Sequence, residues 1–180
     1  MRNLAFFIAA LGLTLMPACA PAAESLDGIQ AEIVADFKTV NQLSAKEVLA
    51  LDPGETLILD IREPEEFAVS RLPGAIRINP KSNAQSALLQ IGDVTDKQIV
   101  VYCSVGVRSS IFAKRTQDEL REMGAVSVSN LEQGIFGWHN DRRDLVDAAG
   151  ETDAVHPYDE NWGRYVKRRE KARYEPVPVD

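Results

Sequence analysis

Gln98-Ile99-Val100-Val101-Tyr102-Cys103-Ser104-Val105-Gly106-Val107-Arg108-Ser109 is the stretch that decides the fold. Its first five residues read as the most strand-like run in the chain. They are apolar on both alternating sets, as in a parallel strand covered on both faces. Cys103 to Val107 then forms a tight loop, and Ser109 to Met123 has helical spacing, with Phe112, Leu120 and Met123 as inward positions. Gly124 ends that helix. In open sheets of alternating strands and helices, ligands sit at the carboxyl ends of strands, and Cys103 stands at one such end.

The same alternation extends on both sides. Upstream, Ser44 and Glu47 have capping-box spacing for a short helix to about Ala50, followed by the turn Asp52-Pro53-Gly54. Thr56 to Ile61 (TLILDI) reads as a buried strand, and Pro64-Glu65-Glu66-Phe67 opens a helix with proline at its first position and acids in its first turn. Pro73-Gly74 is a turn, Ala75 to Ile78 a brief strand, and Ser82 to Gln90 a helix. Downstream, Val126 to Val128 is a strand and Gly134 to His139 begins a last helix. The expected fold is therefore α/β, with a central parallel sheet and helices on both faces. Residues 24–38, of mixed polarity, read as a loose lead-in.

Within the loop, Gly106 lets the backbone curl where a side chain would obstruct it. Successive N–H groups of Ser104, Val105, Gly106, Val107 and Arg108 then point inward as an anion-binding nest, reinforced by the helix N-terminus. Such donors favour the ionised form of a sulfur at Cys103, the form that acts as nucleophile. Arg108 adds a fixed charge with a forked donor geometry suited to a sulfonate or similar oxyanion. An isolated cysteine is most often a buried structural thiol. Here strand, cysteine, glycine, arginine and helix follow at mutually consistent spacing, which points to a nucleophile instead.

The 180 residues suffice for one domain with extensions; 45% are apolar and 26% charged, a soluble globular balance. A net charge of −7 argues against a nucleic-acid partner, which needs a basic face. Residues 1–23 have the three-part plan of a secretory signal: a positive start, the apolar run Leu4 to Met16, and small residues after it. Ala20-Pro21-Ala22 fits a small-x-small cleavage site, while Met16-Pro17-Ala18-Cys19 looks like a lipobox that would place a lipid on Cys19. The expected location is thus outside the cytoplasm, in the periplasm, free or lipid-anchored. On either route Cys103 is the only free thiol of the mature domain, and an exported protein with one thiol lacks a disulfide framework.

The chain resembles the rhodanese family at three ordered motifs. Leu59-Asp60-Ile61-Arg62-Glu63-Pro64-Glu65-Glu66-Phe67 with Leu72-Pro73-Gly74-Ala75 resembles its first signature, and Tyr102 to Ser109 its active-site loop. Asn130-Leu131-Glu132-Gln133-Gly134-Ile135 through Trp138 resembles its closing segment. The resemblance spans residues 39–140 and implies a three-layer domain. It also implies a sulfurtransferase without a cofactor, in which Cys103 takes sulfane sulfur from a small sulfur-containing anion such as thiosulfate. A persulfide would then pass to cyanide, a thiol or a protein acceptor. By the same resemblance, Asp60 and Arg62 brace the loop or approach the donor; Arg62 is placed with Arg108 and residues 104–107 among the donor-binding residues, and Asp60 with Ser109 among those that support the loop. Arg71, Ser70 and Gln133 depart from the family pattern (histidine, glycine and glycine), at positions that bear on packing more than on catalysis. Related phosphatases have five residues between cysteine and arginine, whereas four separate Cys103 from Arg108, a ring suited to a persulfide rather than a phosphate.

His139 and His156 read as surface or helix-end residues without a role at Cys103, and no metal-ligand spacing is present. Trp138 reads as core. Residues 141–180 form a C-terminal extension. Its segment His156-Pro157-Tyr158 through Trp162-Gly163 is suited to pack across the domain, and the basic stretch 164–173 could meet anionic lipid, although a solvated face is the commoner use of such a run. The alternative function is a rhodanese-fold module that binds or carries persulfide for a partner without turnover of its own.

Overall fold

In the computed structural model, residues 25–176 are described; the segment read as a secretory signal, with Cys19, lies outside them. Five strands form one parallel sheet: β1 (Asn41–Leu43), β2 (Thr56–Asp60), β3 (Ile76–Arg77), β4 (Gln98–Tyr102) and β5 (Ser127–Leu131), in the order β1-β5-β4-β2-β3. The strand at the centre is β4, with Leu59 beside Val101 and Asp60 beside Tyr102 on one flank, and Val101 beside Asn130 on the other. Every residue from Ile99 to Cys103 is buried. Ile99, Val101 and Cys103 pack with one apolar cluster, Val100 and Tyr102 with another.

Those clusters are the two interlayers. The first holds Ala84 and Ala87 of α4 (Ala84–Ile91) and Phe112, Ala113 and Leu120 of α5 (Val107–Glu122). The second holds Ile29 and Ile33 of α1 (Leu26–Asp36), Val48 of α2 (Ala45–Leu49), and Ile135, Phe136 and Trp138 of α6 (Gly134–Asn140). The expected three-layer architecture is present, including the Ser44–Glu47 capping box on α2. A helix α3 (Pro64–Val69) opens at Pro64 as the sequence indicates.

Two elements differ from the sequence reading. The supposed loose lead-in is α1, capped by the Ser25 hydroxyl, which accepts from the Gly28 N–H at 3.1 Å. Its Ile29 and Ile33 lie one turn apart on the buried face, which is why a mixed sequence becomes a docked helix. Gln133, one of the departures from the family pattern, ties this helix down: its N–H donates to Gln30 Oε1 and its side chain to Asp27 Oδ1. The second difference is β1, an edge strand of three residues whose pairing with β5 supplies what its own pattern does not.

The extension packs against the second apolar interlayer. Leu145, Val155 and Val166 enter the second cluster. A two-stranded antiparallel ribbon, β6 (Leu145–Val146) with β7 (Glu151–Thr152), bridges back to Arg71, whose N–H donates to the Val146 carbonyl. Arg71 also stacks on Phe67 and donates to the Asp147 carbonyl, so this departure from the family pattern serves the extension. A short helix α7 (Glu160–Gly163) follows. In the basic stretch, Arg168 and Lys171 both pair with Asp153, so part of that charge is committed internally. Among the described residues no helix is long and apolar enough to cross a membrane.

Candidate active site

Cys103 leaves the carboxyl end of β4 with its side chain almost fully buried. Of the five N–H groups expected to cradle it, that of Gly106 donates to Sγ at 3.2 Å. The Ser109 hydroxyl lies 3.4 Å from Sγ and 3.2 Å from the Gly106 carbonyl oxygen, so its single proton serves one or the other. Gly106 adopts a left-handed φ of 101° and begins α5; a Cβ there would crowd Ile33 and Asn130. Backbone conformation and space both require glycine at this point. The loop is held from below by α6, whose Ile135 and Phe136 N–H groups donate to the carbonyls of Cys103 and Ser104. Gly134 permits this approach, since a side chain would collide with those same two carbonyls.

Arg108 sits at the pocket rim with both terminal nitrogens on one carboxylate, that of Glu66, at 2.9 Å each. The Ser104 hydroxyl donates to Glu66 Oε1 and accepts from Arg108, closing a three-residue network. Burial alone would raise the Glu66 carboxyl, but the hydrogen bonds and charge of Arg108, the Glu63 N–H and the charge of Arg62 hold it below the ordinary glutamate range. A carboxyl depressed in the folded state stabilises fully above its unfolded value, and that contribution is lost as pH falls through the folded value. Glu66→Gln is therefore expected to flatten the acid limb of a thermal-stability profile against pH. An unchanged acid limb would remove the pair from the account.

Arg62 differs from its expected role. It is fully buried, bonded to Asp60 through Nε and Nη2 and to the Ser70 carbonyl at 2.6 Å, and no ligand can reach it. Asp60 also accepts from the Tyr102 hydroxyl at 2.6 Å and from the Arg62 N–H. Burial, followed by the Asp60 charge, keeps that phenol protonated far above its usual range. Asp60 thus braces the ends of β2 and β4, next to the loop that the sequence assigned it to support. Of the histidines, His139 stands at a helix end as read, in the last turn of α6, although it is buried, whereas His156 is buried and so differs from a surface residue. His139 Nε2 lies 3.0 Å from the Asp153 carbonyl. His156 accepts from the Tyr158 N–H at 3.0 Å and is held neutral mainly by burial.

Two features of the site escaped the sequence reading. Glu66 looked like a first-turn acid of α3, and only its place on the inward side of that helix could have marked it. The other is the roof. Cys103, Ser104, Val105, Val107 and Arg108 share a pocket of ≈140 Å³ with Tyr158 and Trp162 of the extension. The Tyr158 ring lies 4.9 Å from the Arg108 guanidinium carbon, and its backbone takes a left-handed φ of 67°. That conformation is uncommon for a bulky side chain and is retained where surrounding contacts impose it. A larger cavity of ≈550 Å³, lined by Leu51, Ile58, Leu72 and Trp138, borders the start of β2, away from the thiol. Among the described residues no three side chains gather as metal ligands.

A cysteine at the end of a central parallel strand, cupped by a short loop that runs into a helix, defines a class of α/β proteins built around one thiol. The chain belongs to the rhodanese family: the profile described as "Rhodanese-like domain" matches residues 44–141. It is 31% identical over 87 residues to a protein named sulfurtransferase from Allochromatium vinosum, covering 48% of this chain and 75% of that one. It is also 28% identical over 123 residues to tRNA uridine(34) hydroxylase of Photorhabdus laumondii, covering 66% of this chain and 34% of that protein, about a third of its length. A solved structure of a rhodanese-related protein from Thermoplasma volcanium aligns with a TM-score of 0.46 at 24% identity, over 59% of this chain and 97% of that one. Tyr158 and Trp162 lie beyond the part matched by the family profile.

Proposed function

We propose that the protein is an exported sulfurtransferase that moves sulfane sulfur through a persulfide on Cys103. One observation carries this reading: the only cysteine of the described residues sits at a strand end, under an N–H donor, facing a pocket sized for a few atoms. With thiosulfate, the Cys103 thiolate attacks the outer sulfur, the sulfur–sulfur bond of the donor breaks, and sulfite leaves with the electron pair. A thiolate or cyanide then attacks the outer sulfur of the persulfide and releases Cys103. The Gly106 N–H faces the charge that returns to Sγ, and such fixed donors are typically worth ~10²–10³ in rate. The chain needs no cofactor for either step. Placement in the periplasm rests on the N-terminal signal pattern.

Turnover of a sulfane donor with cyanide, read as thiocyanate, tests the proposal. Thiocyanate formation supports it; a folded protein that neither turns over nor holds sulfur on Cys103 overturns it. The alternative, a persulfide carrier serving a partner protein, draws on Arg108, whose terminal nitrogens are committed to Glu66 instead of standing free for a substrate. Loading of Cys103 without turnover by small acceptors would favour that role. Aryl phosphate hydrolysis is expected to be negligible, because the four-residue loop and its small roofed pocket leave no cradle for a tetrahedral phosphate. Hydrolysis that disappears in Cys103→Ser would contradict this.

A further inference from the structure

The charge of the chain is unevenly placed. The whole sequence carries −7, yet residues 164–173 hold six basic residues and one acid, a net of +5, which leaves −12 for everything else. Of the six, Arg168 and Lys171 pair with Asp153. Arg164, Lys167, Arg169 and Arg173 are exposed, and among the described residues the Lys167 and Arg173 side chains have no partner. Glu170 within the stretch, and Glu32 and Glu175 at its borders, lower the excess without reversing it.

On a frayed tail such a run would be a solvated segment and nothing more. Here it is held as a surface. The Lys167 N–H donates to Asn140 Oδ1 at 2.7 Å, Asn140 Nδ2 donates to the Tyr165 carbonyl at 2.9 Å, and Arg168 donates to the His139 carbonyl. These bonds fix the stretch to the end of α6. The Arg169 guanidinium donates to the Arg164 carbonyl at 3.4 Å, which draws two of the exposed cations together. The Arg173 N–H donates to the Val155 carbonyl, and Tyr174 beyond it leans edge-on against His156 while 53% exposed. Aromatic rings beside cations compose a surface suited to a lipid headgroup layer.

A second observation points to the same partner. Arg164 and Tyr165 line a cavity of ≈380 Å³ together with Ile29 and Glu32 of α1. The basic stretch therefore lies beside the helix that follows residues 1–24, the segment with the apolar run Leu4 to Met16 and Cys19. Six residue steps lead from Cys19 to Ser25, at most about 22 Å at full extension. A lipid on Cys19 would hold α1, and the cations beside it, close to the bilayer. Stable peripheral attachment takes two signals, and a lipid with a polybasic patch is one such pair.

We propose that the exposed cations of residues 164–173 rest on an anionic phospholipid surface and turn the α1 and extension side of the domain toward the membrane. The −12 on the remainder of the chain is repelled by the same surface, which sets the orientation. Each contacting cation favours the membrane by about fivefold, and the attraction decays over roughly 10 Å at 0.1 M salt. Cys103 takes no part, so the inference stands apart from the sulfurtransferase reading.

The test is cosedimentation of the full chain with vesicles of phosphatidylcholine, alone or mixed with phosphatidylglycerol. The ratio of the two partition coefficients cancels whatever the apolar residues 4–16 contribute. It should reach at least ~20 at low salt and fall toward one at high salt. Lys167→Gln with Arg173→Gln should lower it to about one fifth or less, with thermal unfolding and sulfur loading unchanged. Lys167→Arg with Arg173→Lys keeps the charge and should keep the ratio. A wild-type ratio near one, or a ratio unmoved by the neutral double variant, overturns the proposal. Retention on immobilised polyglutamate together with a vesicle ratio near one would overturn it in favour of an acidic protein partner.

Discussion

Cys103→Ser is expected to abolish sulfur transfer, with a loss of at least ~10³-fold in turnover, while leaving the fold in place. Serine keeps the shape of the side chain, and its hydroxyl can accept from the Gly106 N–H where the sulfur does now. Stability should change by no more than roughly 1 kcal/mol, so thermal unfolding serves as the control. The loss of activity has a chemical cause, since an alkoxide is far less accessible than a thiolate and forms no persulfide. No other cysteine in the described residues can take over the sulfur. Retention of more than a tenth of the wild-type rate would remove Cys103 from the centre of the account.

The second large effect concerns stability. Asp60→Ala should cost about 3–5 kcal/mol, because it strands the fully buried Arg62 guanidinium without its counter-charge. The Tyr102 hydroxyl would lose its acceptor at the same time. At roughly 2–4 °C per kcal/mol for a chain of this size, the thermal midpoint should fall by about 10 °C. The cause can be separated from mere loss of contact. Asp60→Ala combined with Arg62→Met removes the stranded charge and should recover much of the stability. A double variant as unstable as Asp60→Ala alone would show that the buried charge is not the source of the loss.

These two sites show what the sequence could and could not reveal. The run Gln98 to Tyr102, the glycine curl and the helix after it are local patterns, and they placed β4, the loop and α5 correctly. Asp60 and Arg62 were found through their motif, yet the setting of Arg62 was not, because only tertiary burial shows that Arg62 faces Asp60 and Ser70 instead of the pocket. Glu66 pairs with Arg108 across 42 positions, and no local rule links them. The β1 strand has no signal of its own and exists because β5 offers an edge. In α1, Gly28 and several charged residues masked the one-turn spacing of Ile29 and Ile33, whose burial depends on the opposing sheet. The aromatic content of the extension suggested packing across the domain. That it would roof the thiol depended on the path of the chain after α6, which passes through turns with left-handed residues such as Arg142 and Tyr158.

The most direct measurement is mass spectrometry of the peptide bearing Cys103, after the folded full chain is incubated with a small-thiol persulfide in the absence of reductant. The account predicts that this peptide gains the mass of one sulfur atom, and that cyanide removes it with release of thiocyanate. An unmodified Cys103 peptide, from folded protein exposed to excess persulfide, would contradict it.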